Sequence, residues 1–279
     1  HPREMSVGVT CEQTGMEYKG HSLKTMFAQR RNLLRPSFHR MIRDILRFNR
    51  EARGLLGAGK ASLTLGEFLR DNSYSAAVID YYIIPMGAAI WSAPFDTFRN
   101  FPIRFIAEFY HNHGLLGLTN RPQWRVIKGG SREYIEPLTR NWSDRIRLNS
   151  PIKSVQREDG LVSIKSVEGR SEVFDHVVFA CHSDQALSIL GQAATQQERE
   201  ILSSFPYQPN LAVLHTQESV LPKNRRAWAC WNYFNPVNET ANATVTYNMN
   251  MLQSLDSQKI FCVTLNDTER IEPKNMIKT

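Results

Sequence analysis

Long apolar runs are missing from this 279-residue chain. No stretch of about 18 uninterrupted apolar residues is available to cross a membrane as a helix. The N-terminus lacks the basic, apolar and small-residue order of a secretory leader, so the expected location is the cytoplasm. Cysteine is sparse: Cys11, Cys181, Cys230 and Cys262 stand far apart and form no CxxC pair. That spacing argues against a zinc site and against a disulfide framework, and predicts reduced, mostly buried thiols. There is no GxSxG nucleophile elbow, and the histidine pairs His111/His113 and His176/His182 lack the spacing of a zinc protease. Gly54-Leu-Leu-Gly-Ala-Gly-Lys60 falls short of a phosphate-binding loop. Ala61 stands where Ser or Thr would hold magnesium, and a helix rather than a strand precedes it. Gly57-Ala-Gly-Lys-Ala-Ser62 misses a dinucleotide fingerprint for the same reason and lacks its third glycine.

What is present is enough for a sizeable core, with 42% hydrophobic and 22% charged residues. Such a chain can form one large domain or two modest ones. The net charge is +7, and much of it is concentrated in Arg30, Arg31, Arg35, Arg40, Arg43, Arg47, Arg50 and Arg53, opposed there by Asp44 and Glu51. Arg40, Arg43, Arg47 and Arg50 fall at helical spacing, with Met41, Ile42, Ile45, Leu46 and Phe48 supplying an apolar side. This predicts a basic amphipathic helix, serving either as a solvated outer face or as a phosphate or anionic membrane-surface site. No nucleic-acid-binding module accompanies it, so no nucleic-acid partner is expected.

Three blocks follow along the chain. From Ser22 to about Leu116 the pattern is helical, with Pro36 suited to a first helical turn and Thr64-Leu-Gly-Glu67 in the form of a capping box. From about Arg121 to Leu190 it is strand-rich. Trp124-Arg-Val-Ile-Lys-Gly-Gly-Ser131 reads as strand, diglycine turn and helix start; 148–155 and 175–182 then read as strands flanking a β-hairpin. After a polar helix from Thr195 to Phe205, strands are predicted at 210–216, 227–234, 243–249 and 260–265. The fold class expected is mixed, α+β or α/β.

The order strand, Gly-Gly, helix, strand, hairpin, strand resembles the middle of flavin-containing amine oxidases and their phytoene-desaturase-like relatives. Pro85-Met-Gly-Ala-Ala-Ile-Trp-Ser92, Asn112-His-Gly-Leu-Leu116, 124–131, 177–187 and Ala227-Trp-Ala-Cys-Trp-Asn232 together resemble a bacterial group of NAD/FAD-binding proteins of that kind. The resemblance implies a two-domain flavoprotein fold. Residues 1–120 and 191–279 would form the substrate domain, and 121–190 the centre of the FAD-binding domain. It also implies an N-terminal strand, GxGxxG and helix for the FAD pyrophosphate and a C-terminal Gly-rich segment. Neither is found in this sequence, so the expectation is a piece of a longer enzyme that binds FAD weakly or not at all by itself.

Carried over residue by residue, the resemblance assigns Ile152 to the adenine side of FAD. Ala180 and Cys181 go to the flavin side, and Gly129 and Gly130 to close backbone approach. Many relatives place a lysine near the flavin from the strand that corresponds to 210–216. That strand has none here, and His215 is the nearest polar residue. No catalytic side chain is therefore named. Amine oxidation and desaturation of an apolar or acyl-chain substrate both stay open, with Trp91, His113, His215, Trp228 and Trp231 as candidate pocket residues. A small, lipid-like molecule is the expected partner. The alternative is a non-catalytic lipid- or protein-binding module.

Overall fold

A computed structural model gives the fold and describes residues 1–57, 63–91, 94–117, 122–237 and 244–279. Lys60, Ala61, Ser62 and Ser92, named above in three motifs, lie outside them. The chain divides into two compact units, His1–Glu133 with Asn210–Thr279, and Tyr134–Pro209. These limits differ from the sequence boundaries near 120 and 190 at both ends. At the first, the Trp124 strand pairs with the chain's start; at the second, the helices beyond Leu187 pack with the strand-rich segment.

Twelve strands are found among the described residues: β1 (Pro2–Arg3), β2 (Val7–Cys11), β3 (Met16–Lys19), β4 (Trp124–Arg125), β5 (Ile152–Glu158), β6 (Leu161–Ser166), β7 (Ser171–Phe174), β8 (Ala212–His215), β9 (Trp231–Asn235), β10 (Thr244–Asn248), β11 (Cys262–Leu265) and β12 (Met276–Lys278). The larger unit is built on a seven-stranded sheet in the order β12-β8-β11-β10-β9-β2-β3. All its pairs are antiparallel except β2 with β9, where Val7 lies beside Trp231 and Val9 beside Tyr233. Directly opposed residues share a face of a sheet, and the two faces here differ. Val9, Tyr18, Tyr233 and Val245 point into the main apolar core with the helices Pro36–Gly54, Leu65–Asp71, Ile84–Trp91 and Ile103–Asn112. The other face carries Asn232, Thr246 and Thr264 in one row, all buried. On that side Glu17 accepts hydrogen bonds from the backbone N–H groups of Lys223 and Asn224, at 2.8 and 3.0 Å.

The helices start where the sequence places them. Pro36 opens the Pro36–Gly54 helix, its fixed φ and missing N–H costing nothing there. Thr64 and Glu67 form a reciprocal capping box, as do Thr195 and Glu198. One feature the sequence did not announce is a π-helical turn, Ile79–Ile83, running directly into Ile84–Trp91. Pro85 sits at that junction and has no N–H for the carbonyl four residues back, Tyr81; the buried Tyr18 hydroxyl donates to that carbonyl. Gly87 lies one turn on against the ring of Phe98, so close that a Cβ would sit 2.0 Å from a ring carbon.

The smaller unit is a β5-β6-β7 meander. Asp159-Gly160 joins β5 to β6 with both φ angles positive, at 50° and 78°, the conformation that a two-residue hairpin turn demands. Val155, Leu190 and Ala194 form its small core beneath the Ser183–Leu190 and Gln196–Ser203 helices. One expectation is corrected here. Residues 175–182 are not a buried strand, because no strand is assigned there and Val178 is 89% exposed. An apolar run becomes a strand only where another edge supplies its hydrogen bonds, and among the described residues none does so.

Candidate functional site

Between the apolar face of the larger sheet and its helices lies a cavity of about 70 Å³. Val7, Val9 and Tyr18 line it from the N-terminal hairpin, Trp231 from β9, and Tyr82 and Met86 from the π-turn and the helix after it. The alternation of β2 aims Val7 and Val9 to one side, and the parallel pairing of β2 with β9 sets Trp231 beside Val7. Burial, with a smaller contribution from Tyr82, pushes the Tyr18 hydroxyl well above its ordinary range, so it stays a neutral donor.

His113, Leu115, Met5 and Trp124 line both this cavity and a more polar outer cleft of about 300 Å³, which also takes in Arg3, Glu4 and His21. His113 caps the Ile103–Asn112 helix and stacks on Phe109 at 3.9 Å and near-parallel to Trp124 at 5.8 Å. Its Nδ1 lies 2.8 Å from the Phe109 carbonyl oxygen. A carbonyl only accepts, so Nδ1 carries the proton and Nε2 holds a free lone pair in the neutral ring. Beside the cleft Lys19, itself buried, forms an ion pair with Glu4, and His21 Nε2 lies 3.9 Å from the same carboxylate. Burial raises the Glu4 pKa, but hydrogen bonds with Lys19 and Ser6 outweigh it and the net shift is downward.

Of the candidate pocket residues, the structure brings His113 and Trp231 together at this cavity. Trp91 stands one layer behind, 4.7 Å from the Phe109 ring and stacked on Phe98 at 5.4 Å. Trp228 lies elsewhere: its Nε1 donates to the Pro222 carbonyl at 2.7 Å, and the Arg225 guanidinium lies 5.1 Å from its ring. His215 is on the opposite face of the sheet. Its Nε2 lies 2.7 Å from Thr264 Oγ1, which is 2.8 Å from Thr246 Oγ1, while its Nδ1 accepts the Gln217 N–H at 3.0 Å. The imidazole is therefore a neutral structural link across β8, β11 and β10. Sequence reasoning overlooked Val7, Val9, Tyr18, Tyr82 and Met86. The alternation in Val7-Gly-Val-Thr-Cys11 before the Gly15 turn was the signal for the first three.

The sequence profile of flavin containing amine oxidoreductases matches residues 10–254. The chain belongs to that family. No curated protein sequence matches it. Among solved structures, it is similar to cyclohexylamine oxidase from Brevibacterium oxydans IH-35A, with 12% identity and a TM-score of 0.60, covering 97% of this chain and 59% of that one. It is also similar to wild-type putrescine oxidase bound to putrescine, with 13% identity and a TM-score of 0.59, covering 96% and 59%. A fatty acid isomerase from P. acnes that produces CLA gives 16% identity and a TM-score of 0.54, covering 100% and 61%. At these identities the likeness concerns the fold, which is that of flavin amine oxidases. The chain spans about three fifths of the length of these relatives.

The residues that the family resemblance assigns to FAD do not make a site for it by themselves. Gly129 and Gly130 have positive φ angles of 84° and 92°, and a Cβ on Gly129 would collide with Glu133. Their conformation is thus accounted for by a local turn. Ile152 opens β5, and Ala180 and Cys181 lie exposed in the unpaired segment 175–182. A dinucleotide pyrophosphate needs backbone N–H groups converging at a helix N-terminus after a glycine-rich turn. Among the described residues the strand Trp124–Arg125 does lead through the Gly129-Gly130 turn, but into a 3-10 turn, Ser131–Tyr134, and a five-residue helix, Ile135–Thr139, rather than directly into a long helix.

Proposed function

We propose that this chain is the substrate-binding part of an FAD-dependent oxidoreductase that removes hydride from a C–H bond of an apolar or acyl-chain substrate. The observation that carries this reading is the lining of the cavity, which is mostly apolar and, among the described residues, includes no carboxylate to fix a buried ammonium ion. Such a surface selects by shape and by desolvation of methylene groups, at roughly 0.8 kcal/mol per buried CH₂. Trp231, Met86 and Val9 would hold the chain of the substrate, and His113, at the junction with the polar cleft, would meet its polar end. The exposed apolar run 175–182 supports a smaller unit that is completed by further segments when FAD is bound. The fatty acid isomerase and the amine oxidases share the fold without choosing between their substrates, and the carboxylate-free lining favours the acyl chain.

The test uses the flavin-loaded full-length protein. Dodecylamine, dodecanoate and shorter homologues are mixed with it anaerobically, and loss of the oxidised-flavin absorbance is followed. Reduction should strengthen with chain length and fall in a Met86→Trp variant that keeps its flavin. Equal reduction by short and long chains, or an unaffected Met86→Trp variant, would overturn the assignment.

A further inference from the structure

Apart from Pro36, Ser37 and Gly54 at its ends, the exposed residues of the Pro36–Gly54 helix fall at 39, 43, 46, 50 and 53, a stripe at alternating four- and three-residue spacing, with Arg40 alongside. Its apolar side is already used: Phe38, Met41, Ile45, Phe48 and Ala52 are buried in the core. The outward stripe carries Arg43 and Arg50 around Leu46, which is half-exposed. At its N-terminal end His39 Nε2 lies 2.7 Å from the Leu33 carbonyl oxygen, which ties the preceding turn to the helix. That turn, Arg30–Leu34, shows Leu34 at 87% exposure with Leu33 beside it and Arg30 and Arg31 exposed.

The acidic residues that could neutralise this stripe are turned away from it. Asp44 is buried and accepts the Ser75 N–H at 3.2 Å, and Glu51 accepts from the Tyr74 hydroxyl and faces Arg47. Among the described residues no carboxylate lies within ion-pair distance of Arg30, Arg40, Arg43 or Arg50.

We infer that this face docks the protein on an anionic phospholipid membrane, with the arginines on lipid phosphates and Leu33 and Leu34 entering the headgroup–acyl boundary. Guanidinium groups match phosphate in two-point hydrogen bonds. Exposed leucines among them gain from leaving water only where hydrocarbon is at hand, which a bilayer supplies and a nucleic-acid backbone does not. Such a position would put an enzyme for apolar chains beside their reservoir, although the docking surface does not depend on that activity.

Co-sedimentation with vesicles tests the inference. Vesicles of phosphatidylcholine alone are compared with vesicles also containing phosphatidylglycerol, at low and high salt. The wild type should bind the anionic vesicles and release them as salt rises. Replacing Arg40, Arg43 and Arg50 together by Gln should weaken binding at least about tenfold, since each surface cation contributes on the order of 1 kcal/mol. Leu33→Ser with Leu34→Ser should weaken it while leaving the charge intact. These side chains are exposed, so circular dichroism melts of both variants should match the wild type. Equal binding to the neutral vesicles, or anionic binding untouched by the arginine changes, would overturn the inference. So would arginine-dependent binding to single-stranded DNA with none to vesicles.

Discussion

The hydroxyl of Tyr18 donates to the carbonyl of Tyr81, the acceptor that Pro85 cannot serve. A residue on the second strand of a hairpin thereby completes a helix 63 positions away, and it does so from the wall of the apolar cavity. The interaction joins the sheet to the π-turn that presents Tyr82 and Met86. Tyr18→Phe keeps the ring and removes the donor. It should cost about 1 kcal/mol, because a partly buried carbonyl loses a partner, and it should loosen the cavity wall. Urea unfolding of the two proteins measures this; equal midpoints would show that the bond contributes nothing net.

Gly87 is fixed by packing against Phe98 rather than by an unusual φ. A methyl group there meets the ring of a fully buried phenylalanine. Gly87→Ala should therefore destabilise by about 1–3 kcal/mol, although alanine is the better helix former by close to 1 kcal/mol. Adding Phe98→Leu should recover part of the loss. If thermal unfolding shows Gly87→Ala to be as stable as the wild type, the close approach is not a feature of the native state.

His215 predicts a pH dependence whose sign follows from its environment. Burial lowers its pKa; Asp267 opposes this and Arg270 reinforces it. The folded protein thus binds a proton less readily than the unfolded chain, whose histidine titrates near 6.5. Stability from this group is complete above that value and is lost as pH falls from it toward the folded pKa. Melting temperature should drop between roughly pH 7 and 5, and His215→Gln should flatten that part of the curve. An unchanged slope in the variant would assign the dependence to other groups.

The thiols separate into one accessible and three protected. Cys181 is exposed, whereas Cys11, Cys230 and Cys262 are buried. Burial raises the pKa of Cys230 and pushes that of Cys262 up to about 12. Titration of the native protein with a thiol-reactive disulfide should show one fast equivalent that disappears in Cys181→Ser, and four after denaturation. Two or more fast equivalents would mean that a core strand is open to solvent.

Much of this fold was legible because its signals are local. The capping boxes at Thr64 and Thr195, Pro36 at a helix start and the strands around Val213, Val245 and Val263 each announce themselves within a few residues. The misses depend on distant partners. β2 and β3 are short, and their place in the sheet is fixed by β9 at the far end of the chain. Residues 175–182 have the composition of a buried strand but no pairing edge among the described residues. His215 alternates correctly within its strand, yet alternation alone does not say which face meets the cavity. Only the Thr264 contact decides that it is the other one. The site was legible in part for the same reason: His113 and Trp231 stood in recognisable motifs, while Tyr18 and Met86 reach the cavity through a sheet register and a π-turn that no short motif encodes.

The parallel pairing of β2 with β9 joins positions 224 residues apart. On a ribosome the first of these strands emerges ahead of the second and waits for it, at ordinary elongation rates, roughly 10–45 s. All of Tyr134–Pro209 is synthesised in that interval, and its hairpins and helices need only near neighbours. The nascent chain should accordingly complete its smaller, middle unit first. Meanwhile Val7 and Val9 wait for β9 with one edge unpaired, which makes the N-terminal hairpin the segment most in need of a chaperone during synthesis.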